Sequence, residues 1–235
     1  MTSENRHKTV LVTGGTSGLG QAIALGFAHE GHQVYAAGLG PLPENAAGVI
    51  YQTLDVRDGN AVEHLISALP ALDVVVNAAG IIRREAELQP DVFAEVIDIN
   101  LNGTMRVCAA ARPLLARNQG AIINIASMLS YFGGGLVPGY AASKGGIAQL
   151  TKSLAIAYAA DGIRVNALAP GWIATPLTQG LQNDPERSTA ILSRTPMARW
   201  GQPEDLIGPA LFLASEQADF ITGTILNVDG GYAAV

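Results

Sequence analysis

Short, nearly uninterrupted apolar runs alternate along this chain with longer segments whose apolar positions return at helical spacing. Thr9–Thr13 (TVLVT), Val34–Ala37, Val49–Leu54, Asp73–Asn77 (DVVVN), Ala121–Ala126 (AIINIA), Arg164–Ala169 (RVNALA) and Ile225–Val228 are the predicted strands. Helices are predicted over Ser17–His29, near Asn60–Leu69 and over Tyr140–Ala160. Asp91–Asn118 is long enough for one bent helix or two consecutive ones. Apolar strands joined by helical crossovers indicate a parallel sheet buried on both faces. The expected fold class is therefore α/β, a doubly wound parallel sheet of about seven strands with helices on both sides. No linker divides the chain, so residues 1–235 are expected to form one domain. Thr175–Arg199 is more polar, carries Pro176, Pro185 and Pro196, and lacks a long apolar stripe. It is expected to lie over one sheet edge as a lid, at about 175–200.

Composition narrows the function classes. With 49% hydrophobic residues among 235, the chain can fill a core and is not a disordered segment. Twenty acidic against fourteen basic side chains give −6, and no Lys/Arg block occurs, which argues against a nucleic-acid partner. Cys108 is the one cysteine, so neither an internal disulfide nor a cysteine zinc cluster can form. It is expected as a small buried hydrophobe on a helix. The start MTSENRHK has no apolar signal core, and no run approaches the roughly eighteen apolar residues of a membrane span. A soluble, cytoplasmic protein is expected. His7, His29, His32 and His64 share no metal-ligand spacing, and no metal is expected.

The first candidate chemistry lies in VLVTGGTSGLGQAIALGFA, where Gly14, Gly18 and Gly20 follow a strand and open a helix. Glycines let the backbone turn tightly and approach a ligand, and the helix start offers unpaired N–H groups to a pyrophosphate. No lysine follows the last glycine, which disfavours a mononucleotide P-loop. Asp55 and Asn77-Ala78-Ala79-Gly80 close the third and fourth strands, at the edge where open α/β sheets bind ligands. Asp55 could accept from an adenine amino group or could cap the next helix. The small residues at 78–80 would leave room for a ribose.

Taken together, TGGTSGLG (Thr13–Gly20), NAAG (Asn77–Gly80), INLNG around Asn100, NIAS ending at Ser127, YAASK (Tyr140–Lys144), Pro170-Gly171 followed by Thr175, and VDGG (Val228–Gly231) resemble the short-chain dehydrogenase/reductase family over essentially the whole chain. The resemblance implies a Rossmann-type fold, a nicotinamide cofactor, a homotetramer, and a catalytic tetrad of Asn100, Ser127, Tyr140 and Lys144. In that tetramer, helices around Asp98–Leu115 and Tyr140–Ala160 meet neighbouring subunits. The implied cofactor contacts are Gly14, Thr16, Ser17, Gly18, Leu19, Gly20, Gly38, Leu39, Asp55, Val56, Asn77, Ala78, Ala79, Gly80, Tyr140, Lys144, Pro170, Gly171, Ile173 and Thr175. NAD-preferring relatives carry an aspartate where Gly38 stands, and NADP-preferring ones an arginine near Leu39 or Thr16. This chain has neither, and the absence of a cation for a 2′-phosphate favours NAD, with NADP left open.

On a helix, Tyr140 and Lys144 share one face. A phenol starts near pKa 10, and a neighbouring ammonium is expected to lower it toward a working general base. Tyr140 would exchange a proton with an alcohol or ketone, and Ser127 would hold the substrate oxygen. Asn100 would hold backbone or water in a proton path. Alone, each has an ordinary role as a half-buried aromatic, a solvated lysine or a strand-end cap. NAAGIIRRE, IASMLSYFGGGLVPGYAASK and RSTAILSRTPMARWGQPEDLIGPALFLAS further resemble sugar-acid oxidoreductases acting on 2-dehydro-3-deoxy-D-gluconate or 2-deoxy-D-gluconate. Such a substrate needs a cation for its carboxylate. Arg83, Arg84, Arg187, Arg194 and Arg199 are available, and Arg84 and Arg199 are the expected ones, with Ser127 and Trp172 as further substrate contacts. Trp200 could wall the same pocket or simply pack the lid. A neutral polyol or cyclic ketone is the alternative substrate, and a non-catalytic dinucleotide-binding regulator the alternative class.

Overall fold

The computed structural model describes residues 7–43 and 48–235; residues 1–6 of the polar start lie outside that range. Seven strands, β1 (Thr9–Thr13), β2 (Gln33–Gly38), β3 (Val49–Thr53), β4 (Val74–Asn77), β5 (Ala121–Ile125), β6 (Arg164–Pro170) and β7 (Ile225–Val228), form one sheet in the order β3-β2-β1-β4-β5-β6-β7. Every pairing is parallel. This is the Rossmann-type arrangement, with the reversal of strand order between β1 and β4 opening a crevice at their carboxyl ends.

The strands read as unbroken apolar runs because each face is covered. Leu11, Val75, Ile122 and Val165 point to one side, against Val62, Val107, Cys108 and Leu154. Val10, Val12, Val74, Ile123 and Leu168 point to the other, against Ile23, Phe27, Ala210 and Leu213. The first layer is supplied by α2 (Gly59–Ser67), α4 (Gly103–Asn118) and α5 (Pro138–Tyr158), the second by α1 (Gly18–His29) and α8 (Ile207–Ala214). Cys108 is fully buried on α4, as expected, and burial pushes its thiol up to about 12.

The 91–118 segment resolves into α3 (Pro90–Ile97), a π-helical stretch over Asp98–Asn102, and α4 in direct continuation. Two consecutive helices describe it, joined without a break by one wide turn, at a place where such turns often mark function. The proline-rich 175–200 stretch is more regular than its composition suggests. It contains α6 (Gln179–Gln182) and α7 (Pro185–Ser193), the latter capped by the Asp184 carboxylate on the Glu186 and Arg187 amides. Helix α8 was not among the expected elements. Among the described residues no helix is long and apolar enough to cross a membrane.

Candidate active site

All seven strands run parallel and end on one edge, where the glycine turn and the tetrad lie. The β1–α1 turn closes tightly: Gly14 has φ +67°, and a Cβ on it would lie 2.6 Å from the Ala78–Ala79 peptide. A Cβ on Gly20 would collide with the Gly14 carbonyl. Gly18, at φ +53°, faces open space bounded only by the Thr175 side chain at 4.0 Å. Ser17 leaves the start of α1 without a side-chain cap, and no acidic residue stands in its first turn. Amide donors and the positive helix end are thus open toward that space, which fits a dinucleotide diphosphate. Gly38 ends β2 beneath Thr16, whose Oγ1 would be 2.6 Å from any Cβ there. Leu39 beside it is exposed.

Two of the expected cofactor side chains have partners within the protein. Asp55 is held by Arg57, whose Nε donates to both carboxylate oxygens at 3.0 Å and whose Nη2 lies 2.6 Å from Oδ2. That guanidinium holds the Asp55 carboxyl below its usual range. Helix α2 is capped by Asp58, not Asp55. Asn77 points into the core, donating to Asn124 Oδ1 at 2.9 Å and Cys108 Sγ at 3.3 Å. Only its backbone faces the crevice edge, because β-strand alternation turns its side chain between the sheet and α4. Val56 is buried, while Ala79 is half-buried and Gly80 exposed between β4 and the π turn.

The tetrad comes together. Asn100, 1% exposed, sits within the π turn. Its Nδ2 donates to the Ile81 carbonyl at 3.0 Å and to Ser143 Oγ at 3.1 Å, and its Oδ1 accepts from the Ile81 amide at 2.8 Å. It therefore holds backbone, one of the two roles foreseen for it. Lys144 is 5% exposed; its Nζ donates to the Ile125 carbonyl at 2.6 Å and lies 5.5 Å from the Tyr140 ring centre. Ser127 follows β5, its hydroxyl beside the Tyr140 phenol, and accepts the Leu129 amide at 3.2 Å. Ser130 closes this turn, donating to the Lys144 carbonyl at 2.6 Å.

The electrostatics differ from the simple expectation. Tyr140 is pushed above the ordinary phenol value, chiefly by burial; the Ser127 bond pulls it down and the Glu87 carboxylate adds to the rise. Lys144 is pushed down to about 8 by burial alone. Lys144 is buried and Tyr140 half-buried, and desolvation penalises each charged form. The proton thus rests on the phenol at neutral pH.

A cavity of about 300 Å³ opens above Tyr140 and Ser127, lined also by Trp172, Tyr232, Leu177 and two arginines, Arg84 and Arg194. Arg194 stacks on Tyr232, its guanidinium carbon 4.5 Å from the ring centre. Arg199, expected here, is not: its fork bonds Asp205 at 2.7 and 3.0 Å, and it lines a separate cavity of about 380 Å³. Asp205, six residues on, holds it there. Arg187 pairs with Asp184 at 3.4 Å. Trp172 stands against both cavities, whereas Trp200 is packing, its Nε1 bonding Ser188 on α7 at 2.9 Å. Pro170 ends β6, Gly171 lines the main cavity, and Ile173 pairs with Gly201 before Thr175 caps the next turn. Glu87, which no motif singled out, also belongs here, accepting the Tyr140 amide at 2.8 Å.

The chain is similar to known proteins. The family described as enoyl-(acyl carrier protein) reductase matches residues 14–233. A 2-dehydro-3-deoxy-D-gluconate 5-dehydrogenase of Pseudoalteromonas atlantica is 43% identical, over 96% of this chain and 95% of that protein. One of Bacillus subtilis with the same description is 42% identical, over 96% and 94%. A crystal structure of a gluconate 5-dehydrogenase from Burkholderia cenocepacia, in complex with NADP and tartrate, superposes with a TM-score of 0.90 at 32% identity, covering 97% of this chain and 96% of that one.

Proposed function

The chain belongs to the short-chain dehydrogenase/reductase family and is an NAD(P)-dependent oxidoreductase, and on that premise we propose that it interconverts a secondary alcohol and a ketone on a sugar acid, 2-dehydro-3-deoxy-D-gluconate first among them. The observation that carries the substrate class is the pair Arg84 and Arg194. Both line the cavity that holds Ser127 and Tyr140, and among the described residues neither is paired with a carboxylate. Two unneutralised guanidinium forks in a confined space fit an anionic substrate, since a carboxylate accepts such forks bidentately. The descriptions of the relatives support the same class.

A bound nicotinamide supplies the hydride donor or acceptor. In ketone reduction, Ser127 donates to the substrate oxygen and Tyr140, whose phenol holds its proton at neutral pH, delivers it. Lys144 is placed so that its ammonium offsets the phenolate left behind, and Asn100 fixes the Ile81 backbone. In alcohol oxidation Tyr140 must first be the phenolate, so that direction gains with rising pH. NAD is the cofactor we assign over NADP, because Thr16, Gly38 and Leu39 offer no cation to a 2′-phosphate. The 175–200 segment acts as the lid, Leu177, Leu181 and Arg194 being its contributions to the cavity wall. The same reading makes the protein a homotetramer, supported by Met105 on α4 and Ile156 on α5, apolar side chains that remain exposed.

The test compares kcat/KM for 2-dehydro-3-deoxy-D-gluconate and an uncharged analogue of similar size, with NADH and NADPH in parallel. The acid is expected to be preferred with NADH. Arg194→Gln is expected to lower kcat/KM for the acid about 10-fold or more, the worth of one charge-assisted bond, and to leave the neutral analogue unchanged. Equal values for the two substrates in the native enzyme would remove the sugar-acid assignment in favour of a neutral polyol or cyclic ketone. No turnover with any ketone would favour a dinucleotide-binding regulator.

A further inference from the structure

Glu87 is 1% exposed, yet among the described residues no Lys, Arg or His lies within ion-pair distance of it. Its carboxylate is satisfied by two backbone amides instead. Oε1 accepts from Arg83 N at 2.6 Å and Oε2 from Tyr140 N at 2.8 Å, across 53 positions of sequence. A buried charge is tolerated when fully hydrogen-bonded, and the first turn of a long helix favours an anion. Tyr140 lies in that first turn of α5, with Pro138 at its start. Gly139 allows the approach, since a Cβ there would sit 3.3 Å from Oε2.

The turn that presents Glu87 is itself constrained. Glu85 adopts φ +66°, unusual for a residue with a side chain, and its amide bonds the Leu136 carbonyl at 2.7 Å. At the other end of the same loop, Ile81 is gripped through both its amide and its carbonyl by Asn100. The 81–88 loop, which carries Arg84 into the substrate cavity, is thus fastened to Asn100 at its start and to the Tyr140 backbone at its finish.

We propose that Glu87 is a positioning residue for the proton-transfer tyrosine, tying the start of α5 to the loop that presents Arg84, so that the acid–base group and the substrate-holding arginine keep a fixed separation. The proposal rests on Tyr140 being the acid–base group. The charged groups facing the phenol are Lys144 from α5 and Glu87 from its turn, with Arg84 and Arg194 lining the same cavity. Glu87 raises the phenol pKa, so removing its charge lowers it.

The experiment measures alcohol oxidation against pH for native enzyme, Glu87→Gln, Glu87→Asp and Tyr140→Phe, each normalised to folded protein by its melting curve. Glu87→Gln is expected to lower the rate plateau about ten-fold through misplacement and to move the acidic limb to lower pH. Glu87→Asp, which keeps the charge but shortens the reach, is expected to lower the plateau and leave the limb in place. A native plateau and limb in Glu87→Gln would overturn the proposal, as would a loss explained wholly by the folded fraction. Should Glu87→Gln not fold, a native plateau in Glu87→Asp would overturn it equally. Full activity in Tyr140→Phe would instead overturn the underlying assignment of Tyr140, which is a distinguishable result.

Discussion

Lys144 and Tyr140 are moved in opposite directions by the same lack of water. For the lysine this has a consequence in stability. Its pKa falls from 10.5 to about 8 on folding, so between those values the unfolded chain binds a proton that the folded chain has released. The lysine's contribution to stability should therefore rise with pH across that window, by up to about 3 kcal/mol, and the full cost of burying the ammonium should be felt below pH 8. Urea denaturation at pH 7.5, 8.5 and 9, below the range where the buried Cys108 thiol opposes the rise, checks this: native enzyme should gain more stability over the interval than Lys144→Met does. In the sequence, the tetrad was legible through the resemblance to the family's motifs, and helical spacing carried only the shared face of Tyr140 and Lys144. The sign of the tyrosine shift was not, since spacing reveals a neighbour but not its hydration. Arg199 was misread for a related reason. Its competitor Asp205 is only six residues away, but nothing in spacing says that the two meet while Arg194 turns inward.

At the scale of elements, strands and long helices could be read from their periods to within a residue or two, as β1, β7 and α1 illustrate. Helix α8 could not: IGPALFLA is apolar on every side and short, so periodicity cannot separate it from a buried strand. Nor could α6 and α7, whose apolar faces are narrow and whose order depends on caps such as Asp184. Glu87 was hidden because its partner is a backbone amide on a distant helix. The junction of β1 and α1 carries an element-scale prediction. Gly20→Ala would press a methyl into the Gly14 carbonyl, a backbone atom that can yield only if the turn moves. A loss of about 1–3 kcal/mol is expected from overpacking, together with weaker dinucleotide binding. Thermal unfolding and fluorescence titration with NADH measure the two effects, and a native value for both would mean that the turn has slack.

For the molecule as a whole, the parallel order of seven strands explains why residues from positions 14 to 232 can share one crevice: every strand delivers its end to the same edge. The outer surface is less self-sufficient. Ile156 projects from α5 with 80% of its surface exposed. If a tetramer covers it, sedimentation velocity should show one species of four chains, and Ile156→Glu should yield smaller species that keep their circular-dichroism spectrum. A native species that sediments as a single chain would dismiss the tetramer. The five-residue π turn between α3 and α4 has a further consequence. Each residue added to or removed from an α-helix swings everything beyond it by about 100° around the axis. A strictly α-helical connection would couple the angular setting of Val107, Cys108 and Ala111 on the sheet to that of α3 against α5. The broader coil acts as a phase adjuster, letting both ends of one rod keep their own bearing while a carboxamide points out between them.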